Sequence, residues 1–199
     1  MTVQTAAPAR FPELTVVTPR LMVRPLTSDD AGDAVVVFDD RQTRRWMSLP
    51  EPYTEHDARM WCTWMAAERR TSGDGDHYGI VRRDDDKLVG LAWTKRTDWR
   101  ARSTEISYAV APTARGFGFT AETVDALAMD MILEHDFQRI ELRVAAGNVA
   151  SRRVAEKAGF VYEGLLRNAG IVESGRVDLG LWSLVPADLR GEPREPAGS

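Results

Sequence analysis

The sequence predicts an α/β (α+β) fold, a mixed, strongly twisted and mostly antiparallel sheet of about seven strands with about four helices. Three observations carry this. His77 to Val81 and Leu88 to Lys95 are short apolar runs joined by Asp84-Asp85-Asp86, the mark of a hairpin across a solvated turn. Ser103 to Val110 reads as a strand that leads through a glycine-bearing turn into a long amphipathic helix and then another strand, so its two strands run parallel. The chain closes with two long strands, Val161 to Val172 and Gly175 to Val185, separated by a tight turn. Antiparallel strands first, one parallel crossover in the middle and a hairpin at the end give a mixed sheet.

The remaining elements follow in order. Thr15 to Leu26 alternates as a strand, and Ser28-Asp29-Asp30 can cap a helix running to about Phe38. A second helix is expected from Glu55 to Arg70, with Ala58, Trp61, Trp64, Met65 and Glu68 along one stripe. The third, from Gly118 to about His135, buries Val124, Leu127, Ala128 and Met131, and a strand over Arg139 to Ala145 follows it. Asn148 then opens a short fourth helix as a good N-cap, and Gly159 is a good residue to end it.

The junction after Val110 has the chemistry of an anion site. The strand breaks at Pro112 into Arg115-Gly116-Phe117-Gly118-Phe119-Thr120, and the helix starts at once. Glycines at 116 and 118 allow φ > 0 and a close approach of backbone to ligand, while the unpaired N–H groups of the helix start face the anion. Gly116-x-Gly118-x-x-Ala121 also satisfies the dinucleotide fingerprint, with Glu141 about twenty residues on. Context argues against that reading. Glu141 falls near the start of its strand instead of the carboxyl end, and the preceding segments read as hairpins, not strand-helix-strand units.

Arg115-x-x-Gly118-x-Thr120 resembles the acyl-CoA pyrophosphate motif of the GNAT N-acetyltransferase superfamily, Q/R-x-x-G-x-G/A, with Thr120 departing from its last position. Thr18-Pro19-Arg20-Leu21-Met22-Val23-Arg24-Pro25-Leu26 resembles the first strand of the RimJ/RimL-like branch, the ribosomal-protein N-acetyltransferase type. Asn148 to Phe160, Glu163-Gly164, Leu166-Arg167 and Gly175-Arg176-Val177-Asp178 are similar to that branch too, and the likeness covers about residues 18 to 185. It implies a GNAT-like sheet with a central crossover from the fourth strand through the third helix to the fifth. It also implies acetyl-CoA as co-substrate; no metal is expected, because the scattered histidines lack ligand spacing.

By the same resemblance, Arg115, Gly116, Phe117, Gly118, Phe119 and Thr120 would hold the pyrophosphate. Backbone groups near Ala109 and Val110, on a strand that carries a bulge and splays from its parallel neighbour, would meet the pantetheine and the thioester. Plain sheet pairing is the other reading of those two residues. Family members that place a Tyr seven residues after the Asn opening the fourth helix use it near the sulfur; Ala155 stands there in this chain. RimL-like members carry a Ser at the place of Ser151, which shares a helical stripe with Asn148 and Ala155. Ser151 is therefore a candidate donor to the departing thiolate, or a first-turn serine satisfying a helix end. Asn148 is a structural cap, a cofactor contact, or both.

An amine must be neutral to attack a thioester. At reference pKa values, roughly a fifth to a third of an α-amine is neutral near pH 7.4, against about 0.1% of a lysine, a difference of roughly 4 kcal/mol for the lysine. An α-amine thus needs only a modest base. Glu105 is the candidate, since alternation puts it with Ser107 on the face opposite Ile106, Tyr108 and Val110; the competing reading is a solvated strand residue. Trp46, Trp61 and Trp64 fall in the stretch that walls the acceptor cleft in the family, although tryptophans at helical spacing usually belong to a core. His56, His77 and His135 lack metal-ligand spacing, and Cys62 reads as packing.

Bulk properties bound the alternatives. At 199 residues the chain suits one domain, with residues 13 to 185 as its body and 1 to 12 and 186 to 199 expected as mobile tails. A 43% hydrophobic content without an 18-residue apolar run fits a protein with no membrane partner. A net charge of -4 argues against nucleic acid and mildly favours cationic substrates. The single cysteine and the lack of a signal-like start suit a cytoplasmic location. The expected activity is transfer of an acetyl group to a primary amine, a peptide N-terminus or small amine, by direct attack in a ternary complex. A non-catalytic acyl-CoA-binding module, or use of another acyl-CoA such as succinyl-CoA, stays open, as does a homodimer.

Overall fold

The computed structural model describes residues 10–189. Eight strands form one sheet: β1 (Val16–Val17), β2 (Leu21–Pro25), β3 (His77–Arg82), β4 (Leu88–Asp98), β5 (Ser103–Val110), β6 (Arg139–Ala145), β7 (Val161–Val172) and β8 (Gly175–Leu184). Their order is β1-β2-β3-β4-β5-β6-β8-β7, and every neighbouring pair is antiparallel except β5 and β6. The helices are α1 (Ala31–Phe38), α2 (Arg41–Arg44), α3 (Glu55–Met60), α4 (Ala66–Ser72), α5 (Phe119–Leu133), α6 (Val149–Lys157) and α7 (Pro186–Leu189). Helix α5 makes the expected parallel crossover.

The sheet has one strand more than expected because Thr15 to Leu26 does not run through. The Thr18 amide donates to the Leu21 carbonyl and the Leu21 amide to the Thr18 hydroxyl, at 2.9 Å each, closing a turn with Pro19 at a position that suits its fixed φ. Val16 and Val17 then pair back on Val23 and Met22. The extra helices have equally local causes. Asp40 caps α2 by accepting from the Thr43 amide at 2.9 Å, and the long helix expected from Glu55 is split by a π-helical segment, Trp61–Met65.

That segment also changes which residues face inward. Ala58, Cys62 and Ala66 are buried, whereas Trp64 is 60% and Met65 38% exposed and Glu68 faces solvent. Small side chains sit where the helix approaches its neighbours, so the expected stripe of bulky residues fails at Trp64, Met65 and Glu68. Burial pushes the Cys62 thiol up to about 12, as suits a packing residue.

The folded body reaches beyond both expected boundaries. Phe11 is only 1% exposed, its ring centroid 6.0 Å from Trp99 and 5.9 Å from Phe137, and its amide donates to the Arg70 carbonyl at 3.0 Å. Pro186–Leu189 forms a helical turn with Leu189 packed on the core. The rest of the expected tails, residues 1–9 and 190–199, lies outside the described residues.

The pairing of β5 with β6 positions the cleft. Strands β5 and β6 pair only from Ser103↔Arg139 to Glu105↔Glu141. Past that point β5 stays paired with β4 as far as Val110↔Gly90, and β6 with β8 as far as Ala145↔Leu179. The sheet therefore opens into a wedge between β5 and β6.

Candidate active site

Two cavities, of about 450 and 380 Å³, lie along the wedge. Trp46, Met47, Tyr108, Asn148 and Ser151 line both, so the cavities are two halves of one cleft that meet at the start of α6. The smaller half runs to the glycine turn and the larger to Glu105.

At the turn, Gly116 (φ 84°) and Gly118 (φ 80°) both adopt the left-handed conformation that disfavours any residue with a Cβ. Gly118 is the N-cap of α5 and offers no side chain, so the first amides of that helix are left for a ligand. Gly116, Gly118, Phe119, Thr120 and Ala121 line the cavity, with Thr120 8% exposed. Phe117 does not line it; its ring is 59% exposed, stacks on Phe119, and its carbonyl accepts from Arg20 at 2.9 Å. The Arg115 side chain is also not free to bind an anion as expected. Its guanidinium is paired with Asp40 and donates to Gln42 Oε1 at 3.0 Å. Burial works against an ionised Asp40, yet the hydrogen bonds from Arg115 and the Thr43 amide hold its carboxyl below the usual range. Arg115 lines this half in that engaged state, and α6 adds Arg153 and Lys157, two cations that sequence reasoning missed.

Where the halves meet, Asn148 Oδ1 accepts from the Ser151 amide at 3.1 Å, so the cap reading holds, and both residues also line the cleft. Ala155, where the Tyr of other members would stand, is fully buried. A tyrosine reaches this place from another element: Tyr108 on β5 donates its hydroxyl to the Ser151 carbonyl at 3.2 Å. Burial pushes its phenol above the ordinary value, which keeps it a donor.

Along β5 the ladder decides which backbone groups face the wedge. Ala111 donates to the carbonyl of Val89 directly opposite, so by the alternation of antiparallel pairs Ala109 also turns its N–H and C=O toward β4. The Ala109 carbonyl indeed crowds Gly90, 2.8 Å from where a Cβ would be. Tyr108 and Val110 direct theirs into the opening. Both residues expected near a pantetheine arm line the cavity; Val110 turns its backbone groups into the opening, and Ala109 turns its own toward β4.

The expected bulge is displaced to the adjacent strand. Pairing of β4 with β5 is regular from Gly90↔Val110 to Lys95↔Glu105 and then slips before Asp98↔Ser103. Arg96 takes the strain there at φ 57°, a conformation costing a non-glycine residue roughly 1–3 kcal/mol. Asp74 holds it, accepting from the Arg96 amide at 2.8 Å. As a result two consecutive side chains, which a regular strand would send to opposite faces, both reach Glu105: Lys95 Nζ lies 3.1 Å from Oε1 and an Arg96 guanidinium nitrogen 3.5 Å from Oε2. Arg143 of β6 adds a third cation at 3.6 Å. Glu105 is thus no solvated residue but 4% exposed, lining the cavity, with Oε2 making no hydrogen bond.

The tryptophans separate by role. Trp46 lines both halves and packs over Gly147, 3.3 Å from where a Cβ would be. Trp61 lines neither; it stacks on His77 at 4.0 Å and meets Phe38 and Trp93 edge-on, a core position behind the wall. Trp64 points to solvent. The wall residue missed by sequence is Trp93. Nor did the sequence show that Gly170, Ile171, Val172 and Leu179 of the final hairpin close the far side. No group of three or more His, Cys, Asp or Glu suited to a metal occurs among the described residues, and no helix among them is long and apolar enough to cross a membrane.

A splayed parallel pair with an anion-binding helix start at its end is the layout of an acyl-CoA-dependent transferase. The sequence model of the acetyltransferase (GNAT) domain matches residues 20–161, and the chain belongs to that family of N-acetyltransferases. It is 24% identical over 177 residues to the uncharacterized N-acetyltransferase p20 of Bacillus licheniformis, covering 89% of this chain and 99% of p20. Its fold matches Mycobacterium smegmatis RimJ, a complex with CoA-disulfide, at a TM-score of 0.80 and 22% identity over 89% of this chain and 90% of RimJ. It matches the ribosomal-protein-S5-alanine acetyltransferase of Vibrio fischeri at 0.76 and 17%, over 87% and 97%. The fold is therefore RimJ/RimL-like.

Proposed function

We propose that the protein transfers an acetyl group from acetyl-CoA to a primary amine by direct attack within a ternary complex, in a cytoplasmic setting. The observation that carries this is the wedge itself. It has an anion seat at one end, outward backbone amides along one wall, and a carboxylate oxygen without a hydrogen bond at the other end. The α5 amides with the Gly116–Gly118 turn, Thr120, Arg153 and Lys157 bind the diphosphate end of the coenzyme. Outward N–H groups of Val110 and Tyr108 polarise the thioester carbonyl.

Glu105, whose side chain lines the cleft, takes a proton from the amine, directly or through a water. The amine nitrogen bonds to the carbonyl carbon, the C–S bond breaks, and the thiolate leaves on the Ser151 side with a hydrogen bond from that hydroxyl. CoA in the RimJ complex and the acetyl-CoA named with the MccE acetyltransferase, matched at a TM-score of 0.77 and 16% identity, support the donor end of this reading.

Calorimetry with acetyl-CoA and thiol release across amines form the test. Uptake of acetyl-CoA together with amine-dependent release is expected. Glu105→Gln should lower kcat by roughly 10²-fold and Ser151→Ala by about 10-fold, with the Kd for acetyl-CoA nearly unchanged. Uptake without any amine-dependent release would leave a coenzyme-binding module, and no uptake would sink the proposal.

A further inference from the structure

We infer that the acceptor is an anionic amine, one that carries a carboxylate within a few bonds of the nitrogen to be acylated, such as a peptide N-terminus followed by an acidic residue. The inference rests on the acetyltransferase reading and refines its acceptor end. Among the residues that line the larger half of the cleft, Lys95, Arg96 and Arg143 are cationic and Glu105 alone is anionic. Glu141 also contacts Arg143, at 3.1 Å, but shares its carboxylate with Arg139 and lies outside the cavity lining. The local excess of positive charge thus opposes the overall net charge of -4.

The geometry adds a second, independent observation. Arg96 reaches the cavity from the bulge in β4, where its backbone is held left-handed at φ 57° by Asp74, at a cost in strain. Having been aimed there, its guanidinium makes a single ion-pair contact among the described residues, at 3.5 Å, with no hydrogen bond. Its donor fork is free to take a carboxylate in two-point fashion. Beside it, Glu105 Oε2 is buried and without a hydrogen bond. A donor fork without a hydrogen-bonded acceptor and an acceptor oxygen without a hydrogen-bonded donor stand side by side, and they match the carboxylate and the N–H groups of an amine with an adjacent acid. A polyamine would meet Lys95, Arg96 and Arg143 with like charge.

Thiol release is measured with acetyl-CoA and three C-terminally amidated tripeptides, Ala-Asp-Ala, Ala-Asn-Ala and Ala-Lys-Ala, whose reacting amines are alike. The acidic peptide is expected to show kcat/KM at least roughly tenfold above the Asn peptide, mostly through KM, with the Lys peptide lowest. Arg96→Gln should shrink the advantage of the acidic peptide to about twofold. On the wild-type protein, which sidesteps any folding defect of the variant, raising ionic strength from about 0.05 to about 0.5 M should shrink it too. An Asn or Lys peptide that performs as well as the acidic one, or no release with any of the three while acetyl-CoA binds by calorimetry, overturns the inference and leaves the coenzyme site standing. No uptake of acetyl-CoA overturns the reading beneath it.

Discussion

The two halves of the cleft are built on opposite plans. The donor half depends on backbone: consecutive residues from Gly116 to Ala121 supply left-handed turns and helix-start amides, and the chain needs few specific side chains to make them. The acceptor half depends on side chains brought from β4, β5, β6, the start of α6, the α2–α3 connection and the β7–β8 hairpin. A site made by a continuous backbone run is local and tolerant of its surroundings. One assembled from six segments takes its chemistry from the fold, so its charge can differ from that of the protein as a whole.

The sharpest way to break this contrast is to damage the backbone half at one atom. Gly118→Val puts a β-branched residue at φ 80°, where L side chains are strained, and shifts the first amides of α5. A drop on the order of 10²-fold in kcat/KM for acetyl-CoA is expected, because small misplacements at a binding site have that scale. A near-normal value by steady-state kinetics, with the fold retained by circular dichroism, would show that side chains and not the backbone hold the coenzyme.

A smaller effect is expected in the buttress behind the acceptor wall. His77 is buried with Nδ1 2.9 Å from the Trp61 carbonyl, and burial brings its imidazole down to about 4. Its folded value is below the ordinary 6.5, so its stability contribution is full above about pH 6.5 and is lost as pH falls toward 4. Between pH 7 and pH 5 this group should remove about 2 kcal/mol from the unfolding free energy. Urea titrations at the two pH values should show the loss in the wild type and a much smaller one in His77→Gln. An equal loss in both would place the pH dependence elsewhere.

The smallest effects sort the tryptophans. Trp64→Ala should leave stability within about 0.5 kcal/mol and kinetics unchanged, because the ring is 60% exposed. Trp46→Ala should raise KM for both substrates several-fold, since that ring lines both halves. Equal behaviour of the two variants in melting and steady-state assays would remove Trp46 from the shared wall.

What was legible in the chain tracks the same division. The glycine turn, the helix after it and the Asn148 cap are written in neighbouring residues, so pattern and resemblance reached them. The wedge was legible only through resemblance, since where β6 leaves β5 depends on pairing partners 36 residues apart, as in Ser103↔Arg139. Arg115 fits the motif by position but is engaged by Asp40, 75 residues away, which no local pattern shows. Thr15 to Leu26 alternates well enough to hide a turn at Pro19, and the helix at Trp61 hides a π segment because its hydrophobic spacing nearly suits both. The cation cluster left one faint trace. The chain has only three lysines among 26 cationic residues, and two of them, Lys95 and Lys157, line the cleft.

The clasp between Arg115 and Asp40 has a mechanical consequence. Asp40 opens the short helix that leads to Trp46, so the glycine turn and the ring that lines both cavities hang from a common hinge pin. Whatever loosens that pin is expected to disturb both cavities at once.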